Sequence, residues 1–462
     1  MTATLLPPIG WSLWQETAPA PPPRPFLTGS LTADVAIIGA GYTGLWTAYY
    51  LREHLPSADV VVVEARSVGY GASGRNGGWC SAIFPASRER VAARSSPEAA
   101  VALQHALFDA VDEVGRVAAA EGIDCGYVKG GSLTLARTPA QRLRLQAALE
   151  AERAWGFGPE HYRWLDAEEA AEHVTASGTH GAVFTPHCAA VHPLRLVRGL
   201  ADAVERRGGR IFEYSPALRW DRGVVETPRG RIRAGAVLVC TEAYTARFRA
   251  THRRLVPLYS LMVATAPVPD EIWARIGWSR RETLTDGRHL LIYAQRTADG
   301  RIAFGGRGAP YRLGSRTSDR GVIRPEVFHA LAAAVRDLFP PIAGVPLTHA
   351  WGGVLGAPRD WMPRVAFDPR TRLGWAGGYV GDGVAASHLA GRTLAELAAG
   401  VDSPRIRLPW VTNAEPPRWE PEPLRWLGIN AGLLLTRLAD VEERFTGRPS
   451  RIGRLVNLYL GH

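Results

Sequence analysis

The chain has 462 residues, 46% of them hydrophobic, which is enough material for two domains with cores of their own. Its formal charge of +10 rests on arginines dispersed along the chain, with Lys129 the single lysine. Lacking a basic run or a basic patch interleaved with aromatics, it points away from nucleic acid as a partner. No apolar run approaches the roughly 20 residues of a membrane span, and Cys80, Cys125, Cys188 and Cys240 show neither zinc-ligand nor disulfide spacing. With no early basic residues and a proline-rich stretch at 21–25, no signal peptide is expected, no metal is called for, and a cytoplasmic location fits.

The first predicted unit begins at Asp34, where an apolar strand breaks at Gly39-Ala-Gly41-Tyr42-Thr43-Gly44 and reopens as a helix. Gly39 permits a tight turn, Gly41 lets backbone amides approach a pyrophosphate, and Gly44 allows helix and strand to pack closely. The helix N-terminus adds partial positive charge for the phosphates. A second strand, Val60–Val63, ends on Glu64, 25 residues past Gly39. A carboxylate there accepts ribose hydroxyls and repels a 2′-phosphate, which disfavours NADP and leaves NAD or FAD. The following Gly71-Ala-Ser73-Gly74-Arg75-Asn76-Gly77-Gly78 is too small and polar for a core strand and reads as a loop against a second cofactor moiety.

With "DVAIIGAGYTGLWTAYYL" and "GASGRNGG" in view, the chain resembles the D-amino-acid-oxidase-like family of FAD-dependent amine and amino-acid oxidoreductases. The likeness is strongest to its γ-glutamylputrescine oxidoreductase branch and covers residues from about 30 to 400. The resemblance implies an α/β fold: an FAD-binding Rossmann-like domain of the glutathione-reductase type, interleaved with an antiparallel-sheet substrate domain. It implies noncovalent FAD, with Ser73, Gly74 and Arg75 along the pyrophosphate and ribityl chain. Ala65, Arg66, Asn76, Gly77, Gly78 and Ala217 join the expected cofactor contacts.

Further along, Pro97 to Glu121 reads as a helix, Gly131–Ala136 as a strand and Ala140–Trp155 as a second helix. From Val191 the pattern returns to the nucleotide domain: a helix opening at His192-Pro193 and stopped by Gly208-Gly209, a strand Arg210–Tyr214, and a hairpin Val224–Ile232. Ala236–Cys240 reads as a separate buried strand ending on Thr241. The family usually carries Asn where this chain has Glu242. Leu258–Thr265, His289–Ala294 and Arg301–Gly305 read as strands of the substrate domain. The expected organisation assigns 30–95, 190–250 and 346–400 to the FAD-binding domain and 96–189 and 251–345 to the substrate domain. Residues 401–462 form a Pro/Trp-rich linker and a helix, Leu424 to Phe445. That helix carries an apolar stripe, Leu427, Leu434, Leu438 and Val441, which reads as a face packed on the protein itself.

The last glycine cluster, Gly378-Tyr379-Val-Gly381-Asp382-Gly383-Val384, passes from strand to turn to helix. In the family such a segment clears space beside the flavin ring and turns a helix N-terminus toward the charge that reduction places around N1. Asp382 stands where relatives often have His and suits a helix N-cap, its side chain facing away from the ring. Tyr293, Trp351, Leu355 and Tyr379 are the candidates to line the substrate pocket. Relatives that oxidise simple α-amino acids place arginine at the position of Leu355, and leucine cannot pair with a carboxylate. That favours an amine, or a substrate whose carboxylate lies far from the oxidised carbon. Arg359 and Arg307 are alternatives, each reading first as a solvated surface arginine. Sarcosine-oxidase-like relatives carry lysine where this chain has Ala303, which leaves oxygen or another electron acceptor open. The implied reaction is oxidation of an amine C–N bond to an imine by hydride transfer to flavin N5, the catalytic residues being unassigned. An oxidase of an aminomethyl-uridine in tRNA and a flavin-bound scaffold without turnover are the rival readings.

Overall fold

The computed structural model describes residue 7 and residues 9–317 and 324–460, with no side chains described beyond 456. The first residues, on which the signal-peptide expectation partly rests, lie outside the described residues. Two eight-stranded sheets dominate. In the first, the order runs Arg364–Asp368, Leu373–Gly377, Gly230–Val239, Gly29–Ile38, Val60–Val63, Arg210–Phe212. All neighbours on this path are parallel except the first pair, and a hairpin extension (Arg219–Asp221, Val224–Thr227) branches from Gly230–Val239. The valines of Val60–Val63 are buried throughout, as a strand covered on both faces requires.

One face is covered by helices Tyr42–His54, Pro97–Ala120, Pro193–Arg206 and Gly383–Ala399, which share a single apolar core. Tyr42 to Leu51 are all buried, so this helix needs no polar face. Pro97–Ala120 starts where Ser96 accepts from the Ala99 amide and Pro97 fills the first turn, and it stops before Gly122 at φ +67°. It packs on Gly383–Ala399, and so on the nucleotide side of the molecule.

The second sheet runs Leu347–Pro358, Leu255–Thr265, Ile302–Gly306, Ile292–Arg296, Thr283–Asp286, Ser132–Leu135, Ala182–Thr185, Arg163–Leu165. Its pairs are antiparallel apart from Thr283–Asp286 with Ser132–Leu135. The stretch after 346 therefore opens in this sheet, as the long partner of Leu255–Thr265, and the chain re-enters the parallel sheet only at Arg364. Three other expectations change. Gly230–Val239 is one continuous strand rather than a hairpin arm and a separate buried strand. The strand expected at His289–Ala294 begins at Ile292, because the His289 and Leu290 amides donate to Asp440 of the C-terminal helix instead of to a neighbouring strand. The strand expected at Arg210–Tyr214 ends at Phe212, since Tyr214 takes φ +49°.

The C-terminal helix spans Leu424–Thr446 and is followed by Arg451–Leu460. Its apolar stripe faces outward: Leu427, Leu434, Leu438 and Val441 are 41–56% exposed. The buried side is polar at its anchors. Asn430 bonds Tyr311, Asp440 accepts two backbone amides, and the buried Glu443 pairs with Arg144 and His289. Among the described residues no helix is long and apolar enough to cross a membrane, and no cluster of three or more His, Cys, Asp or Glu could hold a metal ion.

Candidate active site

Three strand ends meet at the first glycine cluster. Gly39 sits at φ +108°, a conformation open to glycine alone, and its amide donates to the Val63 carbonyl at 2.8 Å. A Cβ at Gly39 would lie 2.5 Å from the Cys240 carbonyl oxygen, and one at Gly44 would lie 1.9 Å from the Gly39 carbonyl oxygen. The Tyr42 amide donates to Ser73 Oγ at 3.0 Å, drawing the second glycine loop over the first helical turn. The Glu64 carboxylate accepts from the Ala40 amide (2.8 Å) and the Arg66 amide (2.9 Å), which fixes its plane and leaves a lone pair on each oxygen for a hydroxyl. Burial nevertheless pushes its pKa up, against the pull of those amides.

A cavity of about 360 Å³ is lined by Gly39, Gly41, Tyr42, Thr43, Glu64, Ala65, Arg66, Ser73, Asn76, Ala217, Thr241, Tyr379, Gly381, Gly383 and Val384. Leu355, Glu242 and Ser387 also line it. The other residues expected at the cofactor stand behind this wall. Gly44 and Gly74 pack on backbone, Gly77 lies under the Tyr293 ring, and Gly78, at φ +71°, abuts the Gln295 amide. Gly378 donates its amide to Glu242. Arg75 covers the Tyr70 ring, and its carbonyl accepts from the Trp351 indole at 3.0 Å. The Asn76 carbonyl accepts from the Trp14 indole at 2.9 Å. Two buried tryptophans thus clamp consecutive carbonyls of the loop.

Among the pocket candidates, Trp351 is fully buried in this clamp and does not line this cavity, its indole being turned to the loop. Tyr293 is wedged between Gly77 and Gly305, its hydroxyl 2.8 Å from Ser260 Oγ. Tyr379 sets its hydroxyl 3.0 Å from Thr43 Oγ1 and, like Leu355, lines the cavity.

Asp382 stands at the N-cap position of Gly383–Ala399, but its side chain makes no capping bond. The helix therefore opens on the cavity with its first-turn amides uncapped by a side chain. Burial raises the Asp382 pKa to about 6, opposed by the neighbouring Arg307. Arg307 is no surface arginine: its own pKa is pulled down by burial, and Nη2 donates to the Val380 carbonyl at 2.6 Å. Val380 itself is held at φ +53°, a strained conformation for a β-branched residue. A Cβ placed on Gly381 would lie 3.4 Å from Arg307 Nη2 and 3.3 Å from Leu355, so the guanidinium reaches the ground that Leu355 leaves without a cation. Arg359, by contrast, pairs with Glu420 at 2.9 Å.

Glu242 is the cavity residue that the sequence reading left without a role. It takes φ +42°, and its carboxylate accepts from the Gly378 amide (2.8 Å) and the Gly356 amide (3.2 Å), joining one strand end of each sheet. Its place at the carboxyl end of a parallel strand was the available signal. Burial outweighs these bonds and raises its pKa to about 7. The folded protein therefore holds this proton more tightly than the unfolded chain does. That contribution to stability is complete below about pH 4.5 and is lost as pH rises toward 7. Glu242→Gln is expected to match the wild-type apoprotein in Tm near pH 4.5 and to exceed it by a few degrees by pH 8. Parallel melting curves across that range check this.

These residues fit a flavin dinucleotide: backbone walls at the glycines, an acceptor pre-set at Glu64, and an uncapped helix N-terminus at the other glycine cluster. The family model describing FAD-dependent oxidoreductases, DAO, matches residues 34–397. Gamma-glutamylputrescine oxidoreductase of Escherichia coli K12 is 31% identical over 381 residues, covering 81% of this chain and 85% of that protein. A probable oxidoreductase, OrdL, of Rhizobium meliloti is 30% identical over 405 residues, covering 85% and 89%. The glycine oxidase structure from Geobacillus kaustophilus superposes with a TM-score of 0.68 at 24% identity, over 83% of this chain and 99% of that one. The chain belongs to the DAO family of FAD-dependent oxidoreductases.

Proposed function

We propose that this protein oxidises a C–N bond of an amine that also carries a carboxylate, with γ-glutamylated diamines as the model substrates. The observation that carries this reading is Arg307, a half-buried guanidinium whose Nη2 donates to a backbone carbonyl, set beside Gly381 and Leu355. A planar fork of N–H donors suits a carboxylate, and its partial desolvation strengthens the pairing. FAD supplies the redox chemistry when bound, taking up the hydride that leaves the carbon next to nitrogen. The Gly39–Gly44 turn and the helix after it would hold the pyrophosphate, Glu64 the ribose hydroxyls, and the Gly381–Val384 turn the ring end, without a covalent bond. The first-turn amides of Gly383–Ala399 place partial positive charge at the cavity, where negative charge is best tolerated. Tyr293 and Tyr379 are fixed by their hydroxyl partners and serve as packing rather than as proton carriers, Tyr379 on the cavity wall and Tyr293 behind it; burial raises the Tyr293 pKa to about 12.

Anaerobic mixing with γ-glutamylputrescine, putrescine and D-alanine tests the reading. Bleaching of the flavin band is expected from the first, with slower bleaching by putrescine and none by D-alanine. Equal rates for the first two would remove the role given to Arg307, and silence from every amine would favour a scaffold. Readmitted air then distinguishes oxygen from another electron acceptor. The residue expected at the oxygen-activating position, Ala303, is fully buried, and Lys129 pairs with Asp112 at 2.5 Å.

Asp382 gives the site a pH dependence. Below about pH 6 its carboxyl is neutral and Arg307 acts as an unopposed cation; above it, the ionised Asp382 competes for the guanidinium. Acetate, a carboxylate throughout pH 5.5–8, is expected to bind several-fold more weakly at the upper end. In Asp382→Asn that slope should vanish. Spectral titration of the flavin at each pH measures it.

A further inference from the structure

A second cavity, of about 300 Å³, is lined by Arg307, whose Nη2 would lie 3.4 Å from a Cβ on Gly381, a residue of the first cavity's wall. Sheet and loop residues Leu258, Leu290 and Trp361 form one side, and Ile429, Gly432, Leu433 and Thr436 of the helix Leu424–Thr446 form the other. That helix lies outside the family-matched residues 34–397. It is nevertheless firmly placed: Asn430 bonds Tyr311, Asp440 holds the His289 and Leu290 amides, and Arg437 donates to the Gly308 carbonyl at 2.5 Å. One apolar cluster joins Leu355, at the first cavity, and Val380 to Leu258, Trp361, Trp419 and Ile429, at the second. The charged groups around the second cavity are engaged elsewhere, Arg359 with Glu420 and His289 with Glu443. The lining is largely carbon, and Arg307 stands on the side nearest Gly381 of the first cavity.

We infer that this chamber receives an apolar arm of the substrate extending past the carboxylate held at Arg307, and that the C-terminal helix sets the arm's length. The substrate class is then a carboxylated amine with an aliphatic or aromatic substituent. The placement of the carboxylate rests on the function proposed above, whereas the chamber and its wall do not. A Cβ added at Gly432, which lines this cavity, meets no atom within 4 Å, so a side chain can start there without moving the backbone.

The test uses the flavin-loaded protein and two series, n-alkanoates from acetate to octanoate and the matching n-alkanols, titrated by calorimetry and by flavin absorbance. Affinity is expected to rise about two- to fourfold per added methylene in both series until the chamber is full. In Gly432→Trp the gain with length should disappear while acetate binds as before. Leu433→Ala, which widens the same wall, should move the plateau to longer chains. Length-independent binding in the wild type, or a gain that survives Gly432→Trp together with an unmoved plateau in Leu433→Ala, overturns the chamber. If Gly432→Trp does not fold, the plateau in Leu433→Ala alone decides. Alkanoates binding no tighter than alkanols would instead refute the carboxylate role of Arg307 and leave the chamber standing.

Discussion

Gly39→Ala is expected to yield a colourless protein. At φ +108° an alanine is strained even by left-handed standards, and its Cβ would lie 2.5 Å from the Cys240 carbonyl oxygen, a backbone atom with nowhere to go. The Gly39 amide is meanwhile tied to the Val63 carbonyl, so the turn cannot slide aside without parting three strands. Strain and displacement together cost about 3–5 kcal/mol, and they fall on the turn where the phosphates would lie. Retained flavin should drop at least about 100-fold in affinity, read as the visible-to-ultraviolet absorbance ratio after gel filtration, with a lowered apoprotein Tm. Gly41→Ala makes the useful contrast in the apoprotein: its Cβ would meet only Ser73, with Oγ at 2.9 Å, a side chain able to rotate, so Tm should fall less, while flavin is still lost because the methyl crowds the pyrophosphate. A yellow Gly39→Ala protein with wild-type flavin content would contradict the cradle described above.

Removing Arg307 should separate two kinds of substrate. Arg307→Ala is expected to raise KM for γ-glutamylputrescine about 100-fold, the scale of a lost charge-assisted pair in a desolvated site, and to change putrescine oxidation by less than about threefold. Arg307→Lys should recover only part of the loss, because an ammonium lacks the two-pronged geometry. Arg307 also holds the carbonyl of the strained Val380, so a purely structural role must be kept distinguishable. Loosening of that turn would depress both amines alike and lower kcat, whereas loss of an anchor shows in KM for the carboxylated amine alone. Flavin content should stay unchanged in both variants.

The glycine clusters were legible because a backbone that needs φ above zero, or a neighbour within van der Waals contact of Cα, writes that need as glycine in the sequence. Gly39 and Gly44 are such positions. Arg307 was not legible in the same way. Its meaning depends on pairing that carries Gly306 beside Leu261, two strands from Leu355, and on a turn at Val380 that lies 73 residues on. Glu242 needed the same long-range knowledge, since both of its amide partners lie more than 110 residues away. The stripe on the C-terminal helix misled because periodicity reports apolar spacing without saying which face is claimed. Here Asn430, Asp440 and Glu443 claim the opposite face through partners remote in sequence. One missed element was within reach: Ser12 and Gln15 form a reciprocal capping box that announces the helix Leu13–Thr17.

The tryptophan clamp on the glycine-rich loop has a practical corollary for anyone cutting this gene. Trp14 lies twenty residues ahead of the first family-matched position, Asp34, and Gly432 lies well beyond the last. An expression boundary drawn at the edges of the family-matched span would discard a brace of the nucleotide loop at one end and a wall of the second chamber at the other. The product would keep both sheets and lose these two supports.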